Sequence, residues 1–384
     1  MPRLPLGSVG PWALSVVETR TRSSVEQDLT TELRDRVRAA AVDARPLALV
    51  GHGTKSFLGR ALDAEAIALS AHAGILNYQP KELVITARSG TPLAEIESVL
   101  AEAGQMLAFE PPHFARSADA GATLGGTIAA GLSGPARPYL GSARDLVLGV
   151  RVLTGGGEVL RFGGEVMKNV AGYDVSRLMV GALGTLGILL DVSLKVLPAP
   201  SATQTQVLDC GEADALRLMG EWAAKPLPVT ATCFDGEHLW VRLSGAAQGV
   251  REALERIGGD AVEPDPAKHL WHHLLREQQH GFFAGDVPLW RLSMPQAAPR
   301  PALDGVMLVE WGGGQRWLRS EDAPEKVREA VAKLGGHATL FRGGDRFGEV
   351  FHPLPVHMMQ LHRRVKTAFD PHGILNPGRL YAGL

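Results

Sequence analysis

Cysteine is nearly absent from this sequence: Cys210 and Cys233 are the only two among 384 residues. Two thiols are too few for a disulfide scaffold, and too few for the several thiolates that hold an iron–sulfur cluster. The histidines of the stretch 272–280 also lack the order of a zinc-binding helix. We therefore expect no bound metal and a cytoplasmic location, with any membrane association made through a partner.

Net charge and long hydrophobic runs are missing as well. The 39 basic side chains nearly balance the 41 acidic ones, so no broad basic surface predicts nucleic-acid binding. No apolar run approaches the roughly 18 residues of a membrane helix, which argues against direct membrane insertion. Residues 1–17 lack the apolar segment of about 7–15 residues that a signal peptide needs. We expect residues 1–23 to be a disordered leader.

The sequence does contain enough apolar side chains, 45% of the total, to bury a large core. A chain of this length favours two domains over one. Helical and strand patterns succeed one another along the chain and predict an α+β fold. After Pro198 and Pro200 the pattern changes to short strands that alternate with helices, which puts the domain boundary near residue 200.

Local patterns predict the first elements. Apolar residues at every fourth position predict a helix that starts near Ser24 and ends before Pro46. A buried strand is expected over Leu47–Val50 and a second strand over Leu83–Ala87. Thr91 is expected to be the N-cap of the helix that follows the second strand.

A glycine-rich loop, residues 51–56 (Gly-His-Gly-Thr-Lys-Ser), follows the first strand directly. Ser56 stands where a dinucleotide-binding fingerprint needs its third glycine, and Thr54 stands where a P-loop needs glycine before lysine. Both of those motifs are therefore incomplete. The loop still lets backbone N–H groups converge on a pyrophosphate, although taken alone it is equally compatible with an ordinary tight turn.

Further glycine-rich segments follow in order, at residues 123–131 and 181–188, with distinctive polar segments at 168–174 and 370–379. Together they resemble the FAD-binding domain of the vanillyl-alcohol-oxidase class, also called the PCMH-type domain. The resemblance implies a two-subdomain FAD-binding domain over residues 24–200. It also implies a smaller, cap-like α+β domain over residues 201–384, whose segment 370–381 returns to the flavin domain.

In that class the first loop and the Leu-Gly-Gly-Thr segment contact the pyrophosphate, while the Gly-Thr-Leu-Gly-Ile segment lies along the flavin ring. The resemblance thus implies Gly187 and Ile188 at the ring, where backbone N–H groups can meet the negative charge that reduction creates. The full set of FAD-binding residues it implies is Gly51, His52, Gly53, Thr54, Lys55, Ser56, Thr123, Leu124, Gly125, Gly126, Thr127, Gly131, Gly134, Arg144, Gly184, Gly187, Ile188 and Asn376. Alignment of the glycines puts Thr54, not His52, where some members bond FAD covalently, so noncovalent FAD is expected.

Several polar residues have two interpretations. His113, which follows two prolines, either touches substrate or flavin or is structural. Lys168 either places positive charge near the flavin or forms a surface ion pair. Tyr173 is expected to be a packing aromatic, and Asp174 to be an N-cap rather than a base.

Within the class, segments 109–114, 131–135 and 376–381 resemble the FAD-binding subunits of glycolate oxidases. Members that oxidise 2-hydroxy acids themselves carry a His-x-Gly-Asp-Gly-Asn-x-His segment, and residues 335–345 hold such residue types only in the wrong order and spacing. Because that chemistry needs a base within reach of the substrate proton, the sequence assigns no catalytic residue. In glycolate oxidase a larger FAD-linked subunit carries that motif and a separate subunit carries iron–sulfur clusters.

Three functions remain open from the sequence. The first is the FAD-binding subunit of a multi-subunit glycolate oxidase, which passes electrons from this 2-hydroxy acid to the larger flavoprotein and iron–sulfur subunits. The second is a self-sufficient flavin oxidase of a small alcohol or hydroxy acid. The third is a structural subunit whose FAD site is vestigial.

Overall fold

The computed structural model describes residues 27–115, 121–164 and 174–384. The expected leader, Lys168 and Tyr173 lie outside these ranges. The helices are α1 (Thr30–Val42), α2 (Leu93–Glu102), α3 (Leu124–Ala130), α4 (Arg137–Leu140), α5 (Ala143–Leu146), α6 (Val175–Leu178), α7 (Glu212–Ala223), α8 (Ala247–Ile257), α9 (Pro264–His269), α10 (Pro324–Ala332) and α11 (Val356–Phe369). The strands are β1 (Leu47–Val50), β2 (Glu65–Ala68), β3 (Ile75–Gln79), β4 (Val84–Arg88), β5 (Gln105–Met106), β6 (Val147–Leu153), β7 (Val159–Gly163), β8 (Ile188–Lys195), β9 (Leu197–Pro198), β10 (Ala202–Asp209), β11 (Val229–Phe234), β12 (His238–Gly245), β13 (Asp260–Val262), β14 (Leu289–Ser293), β15 (Val306–Glu310), β16 (Gln315–Arg319) and β17 (His337–Arg342).

The first half of the chain is built on a five-stranded antiparallel sheet in the order β3-β4-β8-β6-β7. Its central strand β8 is buried at every position except Lys195, as expected for a strand that is covered on both faces. Helix α2 packs its apolar stripe of Leu93, Ile96 and Leu100 into the core of this sheet. The sheet therefore forms a rigid base for the loops that leave its strands.

A smaller unit stands beside this sheet. Strands β1 and β2 pair in parallel, and α1 covers them with Leu33 and Val37. The C-terminal segment adds to the same unit, because the amide of Leu47 donates to the carbonyl of Ile374 at 2.7 Å. The end of the chain is thereby joined to the strand that precedes the first glycine-rich loop.

The second half forms an eight-stranded antiparallel sheet in the order β13-β10-β12-β11-β15-β16-β14-β17. Its side chains alternate between two cores: Met307 and Val309 face a core shared with α7, α8 and α10, while Leu308 faces another. That other core includes Leu58 and Leu132 from the first half of the chain. The two halves thus meet along one face of the large sheet.

The structure confirms the α+β composition and the strand over Leu47–Val50. It corrects two local predictions: α1 begins at Thr30 rather than near Ser24, and Thr91 is not an N-cap. The hydroxyl of Thr91 instead bonds the amide and the carbonyl of Gly74, since the nearby backbone offers it closer partners than the helix does. Pro200 falls between β9 and β10, and a domain boundary there remains a prediction. None of the helices in the described ranges has the length and apolar character needed to cross a bilayer.

Candidate cofactor site

A cleft opens where the loop after β1 faces the start of α3. It comprises a cavity of about 250 Å³ beside residues 51–56 and a narrower chamber of about 60 Å³ beside Ser89 and Gly187. The two spaces share Gly51 and Thr123 as a common wall, and we refer to them together as the cleft.

Asn376, in the C-terminal segment, lines one side of the cleft. Its side-chain oxygen accepts from the amide of Leu49 at 2.8 Å, and its side-chain nitrogen donates to the carbonyl of Leu183 at 2.6 Å. It thereby joins the strand before the first loop to the third glycine-rich segment. Segments far apart in sequence are fixed around the cleft by one amide side chain.

Two glycines of the cleft are required by close packing. A Cβ on Gly51 would lie 2.3 Å from the hydroxyl oxygen of Thr123, and a Cβ on Gly125 would lie 2.5 Å from the Cβ atom of Ser89. The Thr123 hydroxyl caps α3 by accepting from the amide of Gly126 at 3.3 Å. The first loop and the residue after β4 therefore each approach the start of α3 so closely that only glycine fits at the contact.

Unused hydrogen-bond donors line the cleft. The backbone amides of His52, Gly53, Thr54 and Lys55 donate to no group in the described part of the chain. The hydroxyl of Ser89, which is 2% exposed, also lacks a partner there. A buried donor without an acceptor, such as the Ser89 hydroxyl, is rare in folded proteins, and successive backbone amides of a glycine-rich loop are a typical pyrophosphate-binding arrangement. The donor set therefore fits the diphosphate of FAD.

The structure brings most of the expected FAD-binding residues to this cleft. Those that line it are Gly51, His52, Gly53, Thr54, Lys55, Ser56, Thr123, Gly125, Gly126, Gly184, Gly187 and Asn376. Their assignment to FAD stays a prediction.

The other expected residues do not line the cleft. Leu124 and Thr127 are buried residues of α3. Ile188 is the first residue of β8 and lies in the core beside α1. Gly131 and Gly134 allow close backbone packing, against Gly181 and against the carbonyl of Glu110. Arg144 donates to the carbonyl of Val180 at 3.0 Å. These residues shape the walls rather than the cavity.

His113 lies beside Lys55 of the first loop, with 3.5 Å between its carbonyl oxygen and Nζ of Lys55, and it contacts two carboxylates. Its Nε2 atom lies 2.9 Å from Oε2 of Glu97, and its amide donates to Glu277. Glu97 also accepts from Arg276 at 2.8 Å. Burial acts to raise the pKa of Glu97, but its contacts with His113 and Arg276 outweigh burial and hold that pKa below its ordinary value. Contacts of this kind favour the structural interpretation of His113. Asp174 caps α6 as expected, by accepting from the amide of Arg177.

The sequence did not single out Glu310 and Arg291, which lie deep between the two halves of the chain. They line a small cavity of about 20 Å³ together with Ser133 and Gly134. Burial raises the pKa of Glu310 to about 7 although Trp317 donates to its carboxylate at 2.6 Å. No spacing in the sequence marks this pair, because its members come from separate strands that only the sheet brings together.

Comparisons with known proteins identify the family. Residues 25–163 match a family described as "FAD binding domain", and residues 355–380 match "FAD linked oxidases, C-terminal domain". The chain is 46% identical over 359 residues to glycolate oxidase subunit GlcE of Escherichia coli (strain K12), which covers 94% of this chain and 99% of that protein. The chain belongs to the GlcE family of glycolate oxidase subunits.

More distant matches agree with this assignment. Glycolate oxidase subunit GlcD of Bacillus subtilis (strain 168) is 25% identical over 323 residues, 68% of each chain. The structure of 4-ethylphenol oxidase from Gulosibacter chungangensis superposes with a TM-score of 0.67 at 17% identity, over 94% of this chain and 89% of that one. At that identity the superposition shows the fold alone. The sequence and family matches confirm the expected family and FAD as the cofactor, and together with the superposition they confirm the expected fold class.

Proposed function

We propose that this member of the GlcE family is the FAD-binding subunit of a multi-subunit glycolate oxidase. In this role it passes electrons from glycolate oxidation to partner subunits. The observation that carries the proposal is the cleft with its unused amides, in a chain that is 46% identical to a glycolate oxidase subunit over nearly its whole length.

In the proposed site, the amides of residues 52–55 bind the pyrophosphate of FAD, with Thr123 and Gly126 on the opposite wall. Bound FAD would supply an acceptor for two electrons. The cofactor is held noncovalently, because Thr54 stands at the position of the covalent histidine and His52 turns its Nδ1 atom to the carbonyl of Gly121.

We further propose that the adenosine lies in the narrow chamber and the flavin ring lies at the Lys55 end. Gly187 is enclosed in the chamber by the side chain of Val152 and the carbonyl of Leu153, and Ile188 is in the core. This enclosed environment suits the adenine ring of FAD, which takes no part in the redox reaction. Lys55, in contrast, lies near His113, whose backbone amide donates to Glu277 in the second half of the chain. This orientation is the reverse of the one that the resemblance implied for Gly187 and Ile188.

The proposed partners are a larger FAD-linked subunit and an iron–sulfur subunit. The chain has no counterpart of the histidine-rich segment that positions a base in the members that oxidise hydroxy acids, and its two cysteines are too few to hold an iron–sulfur cluster. In the described residues no group of histidine, cysteine or acidic side chains is arranged to bind a metal ion. A cytoplasmic complex, with membrane contact made by a partner, is consistent with these features.

Self-sufficient oxidation of a small hydroxy acid is the second candidate, and the Glu310–Arg291 pair favours it. A half-buried guanidinium suits a substrate carboxylate, and a carboxyl whose pKa is raised to about 7 suits proton transfer. The cavity beside them holds little more than one water molecule at about 20 Å³. For that reason we rank this candidate second.

Reconstitution tests both candidates. The isolated chain should show negligible glycolate-dependent dye reduction, and its addition to the larger flavoprotein and iron–sulfur subunits should restore activity. Rapid turnover of glycolate by the isolated chain would instead establish the second candidate. Restoration by a chain verified to lack flavin would show that the FAD site is vestigial and that the subunit is structural.

A further inference from the structure

Lys55 belongs to the first glycine-rich loop, and its side chain lines the cleft. Its Nζ atom lies 3.4 Å from the hydroxyl oxygen of Thr54, 3.5 Å from the carbonyl oxygen of His113 and 5.7 Å from the ring centre of Phe114. Both oxygens are uncharged, and both distances are at the long limit for a hydrogen bond. The ammonium group is therefore held near the cleft without a strong partner.

No ion pair joins Lys55 to a carboxylate in the described part of the chain. Glu277 is the acid whose charge acts on it, but that carboxylate already accepts from the amides of His113 and Phe114 at 2.7–3.1 Å and lies 3.4 Å from Nε of Arg276. Burial lowers the pKa of Lys55 to about 8, with Arg276 adding to the effect and Glu277 opposing it. A half-buried cation without an ion-pair partner is stabilised by an anion that enters the cleft.

The other cations that line the cleft are already engaged. Arg379 donates to the carbonyls of Ser56 and Arg60 at 2.7 and 2.8 Å. The ring of His52 is bonded to the carbonyl of Gly121 at 2.8 Å. Among the described residues that line the cleft, Lys55 is thus the cation whose hydrogen bonds are all 3.4 Å or longer.

We propose that Lys55 binds an anionic oxygen of the cofactor and that its charge sets how FAD affinity depends on pH. The inference rests on the proposed function. FAD offers two sources of this chemistry: the pyrophosphate, which is anionic in both redox states, and the pyrimidine edge of the flavin, which gains negative charge on reduction. Because a bound anion favours the protonated amine, affinity is full below the free-state pKa of about 8 and falls as the pH rises above it. The charged or titratable groups that face Lys55 are His113, Arg276 and Glu277.

Equilibrium binding of FAD and of ADP to the full-length apoprotein tests the proposal, with Lys55→Met, Lys55→Arg and the exposed-site control Lys333→Met. At pH 7 Lys55→Met should bind FAD about 10-fold more weakly than wild type, in line with the loss of one charged hydrogen bond. It should also lose the decline of affinity above pH 8. Lys55→Arg should keep binding up to pH 10, since guanidinium stays charged. Circular dichroism of each variant confirms that it is folded.

The two sources give different results. If Lys55 binds the pyrophosphate, Lys55→Met weakens ADP and FAD alike. If it binds the pyrimidine edge, ADP affinity is unchanged, and the reduction potential of the bound flavin falls in Lys55→Met and not in Lys333→Met. A Lys55→Met chain that matches the control in FAD affinity, ADP affinity and potential would overturn the proposal while leaving the FAD-binding function intact. A wild-type chain that binds neither nucleotide would overturn both.

Discussion

Lys366 and Asp370, one turn apart at the end of α11, form a buried ion pair with 2.6 Å between Nζ and Oδ2. The same ammonium donates to the carbonyls of Thr185 and Leu375 at 2.7 Å. The carboxylate in turn accepts from the amides of Ile374 and Leu375. One pair thus fastens the third glycine-rich segment to the C-terminal segment that carries Asn376.

Lys366→Met should destabilise the protein strongly, because it leaves the carboxylate of Asp370 buried without its cation. Removal of one partner of such a pair typically costs about 3–5 kcal/mol. The free energy of unfolding, measured by urea denaturation, should fall by an amount of that order, and Lys333→Met on the exposed face of the chain should leave it unchanged. Equal stabilities for the two variants would show that the pair does not fasten the segment.

Much of this architecture follows from local sequence patterns. The strand over Leu47–Val50 is an apolar run that stops at glycine, and α7 places its buried residues Ala215, Met219 and Trp222 at helical spacing. The resemblance carried by the ordered glycine-rich segments implied both the fold and a cofactor site between them. Glycine is needed at residue 51, because an added Cβ would lie 2.3 Å from the Thr123 hydroxyl oxygen.

What local patterns could not give depends on distant contacts. Threonine is a common N-cap residue, but the hydroxyl of Thr91 forms hydrogen bonds with the backbone of Gly74 instead. Ile188 follows a glycine of the cleft, yet the pleat of β8 turns it into the core. Glu310 and Arg291 become neighbours only when β15, β16 and β14 pair. No periodicity within one segment contains these relationships.

Glu310 should make stability depend on pH. Burial raises its pKa in the folded protein to about 7, above the ordinary value of 4.5. The folded state therefore binds the proton more tightly, so the stabilisation is full below pH 4.5 and is lost as the pH rises toward 7. Urea denaturation should show a decline on the order of 1–3 kcal/mol over this window.

Glu310→Gln is the matched control for that titration, because the amide keeps an oxygen for Trp317 and has no proton to lose. The difference in unfolding free energy between wild type and Glu310→Gln should change between pH 5 and pH 8, to the disadvantage of wild type at the higher pH. A difference that is constant over this range would mean that Glu310 does not titrate there.

Acid precipitation shows whether FAD is attached covalently, because only noncovalent flavin enters the supernatant. The purified chain should be yellow, and acid precipitation should release the flavin into the supernatant, since the loop offers Thr54 where a covalent link needs histidine and His52 is bonded elsewhere. Absorbance at flavin wavelengths in the supernatant and in the dissolved pellet measures the two fractions. Flavin that stays with the pellet would contradict noncovalent attachment.

Substitution of two glycines distinguishes the cleft from the core that supports it. A Cβ on Gly126 meets only the Thr123 hydroxyl, at 3.1 Å, so Gly126→Val should fold and place its branched side chain against the pyrophosphate site. A Cβ on Gly187 lies 2.4 Å from Val152, so Gly187→Val should lower stability as well. Gly220→Val in α7, where the added atom meets nothing within 4 Å, controls for helix propensity.

Flavin content and melting temperature, measured on all three variants, separate these effects. Gly126→Val should lose FAD with a melting temperature close to that of Gly220→Val in the apo state, because only ligand contacts change. Gly187→Val should lose FAD and also melt several degrees lower, as a core clash of about 1–3 kcal/mol implies. Stoichiometric flavin in Gly126→Val would place the cofactor outside the cleft, and the unused amides of the first loop would then need another ligand.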